Sequence, residues 1–326
     1  MAQLSDMFGG GDAKTLLGFP AADVASFAGD IGVFGADCAT PYPSVGAYCA
    51  GGPDAMRAGA ATYSGSHDRY NFDIGQQLLP SWCRVADLGN ARVDPHAAQA
   101  NREEIARMTA SVVAGGGVPV LLGGDDSVPI PMLQALAPRG PLNILQIDAH
   151  IDWRDEVEGT RWGLSSTMRR ASEMAHIGKI VQVGARGVGS AGQTEVDAAQ
   201  AYGAQLFPAH VVHDFGVAPV VAAVPAGEPV VVCFDCDALD PSVMPAVIAP
   251  TGAGMIHAQV LQLLRGVSEK APIAAFTLVE FKPDADLNGI GARTAGQLLA
   301  TAIGLIAHSI AKSKASVLLP PVVRSG

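Results

Sequence analysis

The stretch "GVPVLLGGDD", residues 117 to 126, runs from an apolar segment through two glycines into adjacent carboxylates, Asp125 and Asp126. Its apolar residues are nearly continuous where a half-exposed strand would alternate, which is the pattern of a parallel strand covered on both faces. The same theme recurs outward along the chain in "IGVFGAD" (31–37), "NILQIDAH" (143–150), "KIVQVGAR" (179–186), "PVVVCFDCD" (229–237) and "PIAAFTLVE" (272–280). Segments of helical length and composition lie at 97–113, 193–205, 255–268 and 292–311. Strands alternating with such helices imply an α/β fold, a parallel sheet with helices packed on both faces.

No linker rich in Pro, Gly or Ser divides the chain, so residues 1–326 read as one domain, with 1–29 as an N-terminal extension. The formal charge of −10, with 21 Lys plus Arg and no basic block, argues against a nucleic-acid surface and fits a small cationic or neutral partner. The start, "MAQLSDMFGG", lacks a basic region followed by an apolar run, and no segment reads as a membrane span, so a cytoplasmic setting is expected. Five cysteines form no closely spaced framework, and free thiols are the simpler reading; Cys233 and Cys236 sit inside an apolar run as packing residues.

In open parallel sheets the binding crevice lies outside the carboxyl ends of the strands, so acidic strand exits matter most. "LQIDAHIDWRD" spaces Asp148, His150 and Asp152 by two, which in an extended segment sends all three to one side. "VVVCFDCDALD" repeats the spacing with Asp235 and Asp237. If "GGDDS" converges on them, Asp126 adds another oxygen while Asp125 caps or supports. Five carboxylates and one imidazole carry too much negative charge for a single divalent ion, and two ions sharing bridging carboxylates offset it better. Such a pair would acidify a shared water for attack on an electrophilic carbon.

Taken together, "GGDDS", "DAHID", "CFDCDALDP" and "VEFKP" resemble the motifs of the ureohydrolase family, the arginases and agmatinases, in their order and approximate spacing, over about residues 31–310. "GADCATPYPSVGAYCAGGPDAMR" is similar to the early loop and helix of the agmatinase branch. The resemblance implies a three-layer α/β/α sandwich with a mainly parallel eight-stranded sheet, two divalent ions, Mn(II) first and Ni(II) second, and a homo-trimer or homo-hexamer. It implies hydrolysis of a small cationic guanidino substrate to urea and an amine. By the same resemblance Asp148 and Asp235 bridge the ions, His150 and Asp237 complete one site, and Asp152 completes the other while assisting catalysis. Glu280 pairs with the guanidinium, as a carboxylate facing a planar donor should. Tyr48 and Asn71, in expected entrance loops, are substrate-contact candidates.

Two positions depart from the family pattern. Asp126 stands where "GGDHS" has its imidazole, which favours harder ions. Glu158, in "EGT", stands where typical agmatinases carry the His of a His-Gly-Thr string, so the substrate's tail is open. Both departures also motivate an alternative, a catalytically weak or silent subunit of a heteromeric assembly.

Overall fold

The computed structural model describes residues 14–65 and 67–318. In chain order the strands are β1 (Ile31–Ala36), β2 (Tyr70–Asn71), β3 (Gln76–Gln77), β4 (Val85–Asn90), β5 (Val118–Gly123), β6 (Leu142–Ile147), β7 (Ile177–Val183), β8 (Gln205–Phe207), β9 (Val230–Asp235) and β10 (Ile273–Val279). Eight of them form one sheet in the order β4-β1-β5-β10-β9-β6-β7-β8. Every neighbouring pair in it is parallel. The remaining two, β2 and β3, pair as a short antiparallel hairpin.

The six apolar runs all became strands because each side chain, on either face, meets a helix. In β9, Val230, Val232 and Phe234 enter one apolar layer, shared with the helices His257–Lys270 and Ile290–Leu318. Val231 and Cys233 enter the other, shared with Ala98–Ala114 and Pro129–Ala135. This two-sided burial makes the three-layer α/β/α sandwich and explains why these strands do not alternate in polarity. The helix Ile290–Leu318, expected over 292–311, includes a 22-residue stretch, Ile290–Ala311, long and apolar enough to cross a bilayer, where the sequence reads no membrane span. Most of its apolar part is buried against the sheet and its neighbours, which accounts for its composition.

Of the expected extension at 1–29, residues 1–13 lie outside the described residues. Leu16, Leu17 and Phe19 are core residues. The backbone there is tied down as well, since Leu16 N donates to Asp87 Oδ2 at 2.7 Å.

The strand order positions the site. After β5 the chain skips two places to lay down β6, and the gap is filled much later by β9 and β10. Four adjacent strands, β5, β10, β9 and β6, therefore present their carboxyl ends side by side, at the point where the order reverses. Crevices in open parallel sheets form at such a point. The two glycines after β5 allow the close approach: a Cβ on Gly124 would fall 1.7 Å from the Asp37 carbonyl oxygen, and one on Gly123 2.4 Å from Val279. The freed backbone bonds both ways, Gly124 N to Ala36 O at 2.6 Å and Glu280 N to Gly124 O at 2.7 Å.

Candidate metal centre and cleft

Each acidic strand exit turns immediately after its strand, so the period-two expectation holds only at the start of each motif. Asp148 is the first residue past β6, and the chain then bends, with His150 N donating to Asp148 Oδ1 at 2.6 Å. Asp152 adopts φ +53, a left-handed conformation costly for a residue with a Cβ. Glu280, just past β10, does the same at φ +63. After β9, Asp235 Oδ1 caps the following turn by accepting from Asp237 N at 2.7 Å. Arg186 holds the next loop in place by donating to the carbonyls of Asp237 and Thr251 at 2.8 and 2.7 Å.

These turns bring two ligand-competent groups together. Asp148, His150 and Asp237 offer atoms within 4.8 Å of one another, and so do Asp126, Asp148 and Asp152. Asp148 belongs to both groups. His150 Nδ1 lies 3.0 Å from Asp237 Oδ2 and 3.4 Å from Asp148 Oδ1. Asp235 and Glu280 line the same cavity, of about 150 Å³, with Tyr48 in its wall. Tyr48 Oη is 2.7 Å from both Glu280 oxygens, and Asp126 N donates to Glu280 Oε1 at 2.8 Å.

Asp126, Asp148, Asp152, Asp235, Asp237 and Glu280 are all less than a tenth exposed. Burial, then the neighbouring carboxylates, pushes Asp126, Asp152 and Asp235 well above the ordinary carboxylate range. Burial likewise raises Glu280 to about 8, against the hydrogen bond from Tyr48. Asp237 runs the other way: burial opposes its charge, but His150 outweighs it and leaves the carboxyl below its usual value. Burial disfavours the His150 cation, yet Asp148 and Asp237 raise the ring to about 12.

A set this rich in buried anions fits divalent cations. Asp126 Oδ2 is buried with no hydrogen-bond partner among the described residues, so it has a free lone pair where a cation would supply the missing interaction. The donor set is oxygen plus one imidazole, which suits a divalent cation. Asp125 Oδ2 is likewise buried without a hydrogen-bond partner among the described residues, but the residue's other oxygen is engaged in the turn. Its Oδ1 accepts from Ser127 N at 3.0 Å and from Ser127 Oγ, while Ser127 Oγ accepts from Thr40 N at 2.7 Å. It shapes the turn before the Pro129–Ala135 helix, whose N-cap residue is Val128.

Not every candidate from the sequence lies here. Asn71 sits in β2 and lines a separate cavity of about 510 Å³ with Tyr63, Phe72 and Arg293. The loop around Asn71, expected at the entrance, forms a hairpin instead, whose strands pair with each other and not with the main sheet. Glu158 is exposed, and its Oε2 accepts from Ser44 N at 3.1 Å, joining two loops outside the cavity.

Other residues line the cavity without having drawn notice: Arg154, Leu164, Glu195 and Ile248. Behind it, Gln146 Nε2 donates to Asp148 Oδ2 at 2.7 Å and to Asp152 Oδ2 at 2.5 Å. Its own carbonyl oxygen accepts from Gln182, whose Oε1 accepts from Trp153 Nε1 at 2.7 Å. Gln146 stands two residues before Asp148 in β6, so the period that picked out Asp148 also pointed to it. Nothing local identified Gln182.

Four adjacent strand ends carrying buried carboxylates on an all-parallel eight-stranded sheet make an arginase-like fold with candidate metal-binding clusters. Residues 30–304 match the Arginase family, and the chain belongs to it. Among curated relatives, the mitochondrial guanidino acid hydrolase of Homo sapiens is 32% identical over 224 residues, 66% of this chain and 62% of that protein. The mitochondrial agmatinase of Gallus gallus is 31% identical over 254 residues, 76% of this chain and 73% of that protein. The chain thus spans less than two thirds of the human relative's length. The solved structure of proclavaminate amidino hydrolase from Streptomyces clavuligerus shares the fold at a TM-score of 0.79 and 24% identity, covering 92% of this chain and 99% of that one.

Proposed function

We propose that this chain, acting as one ureohydrolase domain, hydrolyses a small guanidino compound to urea and an amine with two divalent ions, Mn(II) first and Ni(II) second. The observation that carries the reading is the pair of ligand groups sharing Asp148, with Glu280 and Tyr48 in the wall of the same cavity. Asp148 and Asp235 would be shared between the ions, His150 and Asp237 would complete one site, and Asp126 and Asp152 the other. Asp126 then contributes an anionic oxygen where the family pattern has an imidazole nitrogen. When bound, the ions supply the Lewis acidity that activates water and stabilises negative charge developing at the reacting carbon.

The chain's own groups do the rest. Glu280 pairs with the guanidinium and fixes its plane, with Tyr48 and the Asp126 N–H holding the carboxylate in position. A cation in the cleft favours the ionised form of Glu280 against the burial that raises it. Asp152, held by Gln146, takes the proton released by the attacking water and returns it to the leaving nitrogen. Water adds to the guanidino carbon, the carbon–nitrogen bond to the substituted nitrogen breaks, and urea and the amine leave. Full retention of the acidic set favours an enzyme over a silent subunit, since unneutralised buried anions destabilise the fold. Homo-trimeric or homo-hexameric assembly and a cytoplasmic setting remain part of this reading.

The test is urea release by protein loaded with Mn(II) or Ni(II), on agmatine, 4-guanidinobutyrate, 3-guanidinopropionate and arginine. Urea from one or more of these, at about two ions per chain, is the expected result. Two bound ions with no urea from any would refute the urea-releasing reading.

A further inference from the structure

We infer that Arg154 is the residue that reads the far end of the substrate, and that this end is a carboxylate, making the substrate a guanidino acid. The inference rests on the hydrolase reading and names its substrate class. Arg154 lines the cavity that holds Asp126, Asp152 and Glu280. Among the described residues, no other Lys or Arg lines it.

The segment around Arg154 contains four arginines, and three are committed. Arg161 Nη2 lies 2.9 Å from Asp155, Arg170 Nη2 lies 2.5 Å from Asp155, and Arg169 Nε lies 3.3 Å from Glu173. The Arg154 backbone is fixed too, its N–H donating to Ser165 O at 3.0 Å across the loop. Its guanidinium makes no ion pair or side-chain hydrogen bond with any described residue. A solvent-facing arginine needs no partner, but this one borders a cleft whose acids, Glu195 apart, are assigned to metal ions and guanidinium.

An ammonium tail would need an available carboxylate at the outer end instead. The one acid there outside the metal centre and Glu280 is Glu195. It is in the first turn of the helix Gln193–Tyr202, with Oε2 3.2 Å from Thr194 Oγ1. That oxygen stands only 2.5 Å from where a Cβ on Gly192, the residue preceding the helix, would be. The carboxylate is folded back over the helix's N-terminal end, which favours negative charge and occupies it. Leu164 and Ile248 add apolar wall to the cavity, suited to a methylene spacer. A guanidinium paired with Glu280, a short aliphatic spacer and a carboxylate paired with Arg154 satisfy each of these features.

The experiment is calorimetric binding of 4-guanidinobutyrate and of agmatine, similar in length and opposite in tail charge, to the Mn(II)-loaded protein, for wild type and Arg154→Gln. The wild type should bind the acid more tightly than the amine by about tenfold, a modest preference because charge at a solvent-open rim is screened. Arg154→Gln should remove that preference by weakening the acid alone, with metal content unchanged, and Arg154→Glu should reverse it. Equal affinities in the wild type, a preference for the amine, or an acid-to-amine ratio unchanged in Arg154→Gln would overturn the assignment. Urea is followed in the same samples. A protein that binds the acid through Arg154 and releases no urea fails the hydrolase reading and keeps Arg154 as the group that binds the carboxylate.

Discussion

Buried charge at two places in this molecule is resolved in opposite ways. Arg57 and Asp87 form a closed pair, with Nε 2.8 Å from Oδ2 and Nη2 2.9 Å from Oδ1. Asn90 takes Arg57 Nη1 at 2.6 Å, and the backbone N–H groups of Leu16 and Gly89 complete Asp87. Every charge there has its answer inside the chain. At the carboxyl ends of β5, β10, β9 and β6 the carboxylates outnumber the single imidazole, and Asp126 Oδ2 has no hydrogen-bond partner among the described residues. A buried charge completed by the chain serves the fold, whereas a buried excess of one sign calls for counter-charge from outside.

That contrast can be broken experimentally, and the largest effect should come from the closed pair. Arg57→Leu leaves Asp87 buried and unpaired, and about 3 to 5 kcal/mol of stability should be lost in denaturant unfolding. The loss should be the same with and without metal. A deficit that metal loading repairs would mean the two charge systems are not separate.

Glu280→Gln should act on the other side of the comparison. It keeps the shape and deletes the charge facing the guanidinium, so kcat/KM on the best guanidino substrate should fall by about 2 to 5 kcal/mol in activation free energy. Metal content by elemental analysis should not change. A variant that also lost metal would move Glu280 into the coordination set.

Gln146→Leu removes the amide between Asp148 and Asp152 while keeping the volume. Support of this kind is worth about 10- to 100-fold in metal affinity or activity, and metal titration should show a loss on that scale. Unchanged affinity would reduce Gln146 to a packing residue.

The smallest effect is a slope. A carboxyl whose folded value is raised binds more protons folded than unfolded, so stability falls as pH rises between the two values. For Glu280 that window runs from 4.5 to about 8, and Asp126, Asp152 and Asp235 shift in the same direction. Chelator-treated protein should therefore show a Tm that drops across this window. Metal-loaded protein should show a flatter profile, because the ions favour the ionised carboxylates. Identical profiles in the two preparations would contradict the view that the cleft is held together by external cations.

The sheet's interior was legible along the chain because a strand covered on both faces advertises itself through local composition. All six apolar runs became strands, and the four expected helical segments became helices. Val85–Asn90 and Gln205–Phe207 escaped notice because they lie at the two edges of the sheet. The first mixes Asp87, Gly89 and Asn90 into its run, and the second is three residues long. The acidic exits were legible for the same local reason, since a strand ending in paired carboxylates is visible without knowing its neighbours.

What no local signal carries is which strand end stands beside which. Tyr48 and Glu280 meet across 232 positions, and Asp126 and Glu280 across 154. The strand order that joins them is chosen by the packing of two helical layers and not by any segment alone. Asn71 shows the converse. Its loop looked suited to an entrance, but the β2–β3 pairing carries it to another cavity. The sequence by itself determined the chemistry of the site, because carboxylates at strand ends are fixed by composition and period. Only the tertiary structure decided that Arg154 faces the cleft uncommitted while Glu195 folds onto its own helix, because the directions of loop side chains are set by contacts between distant segments.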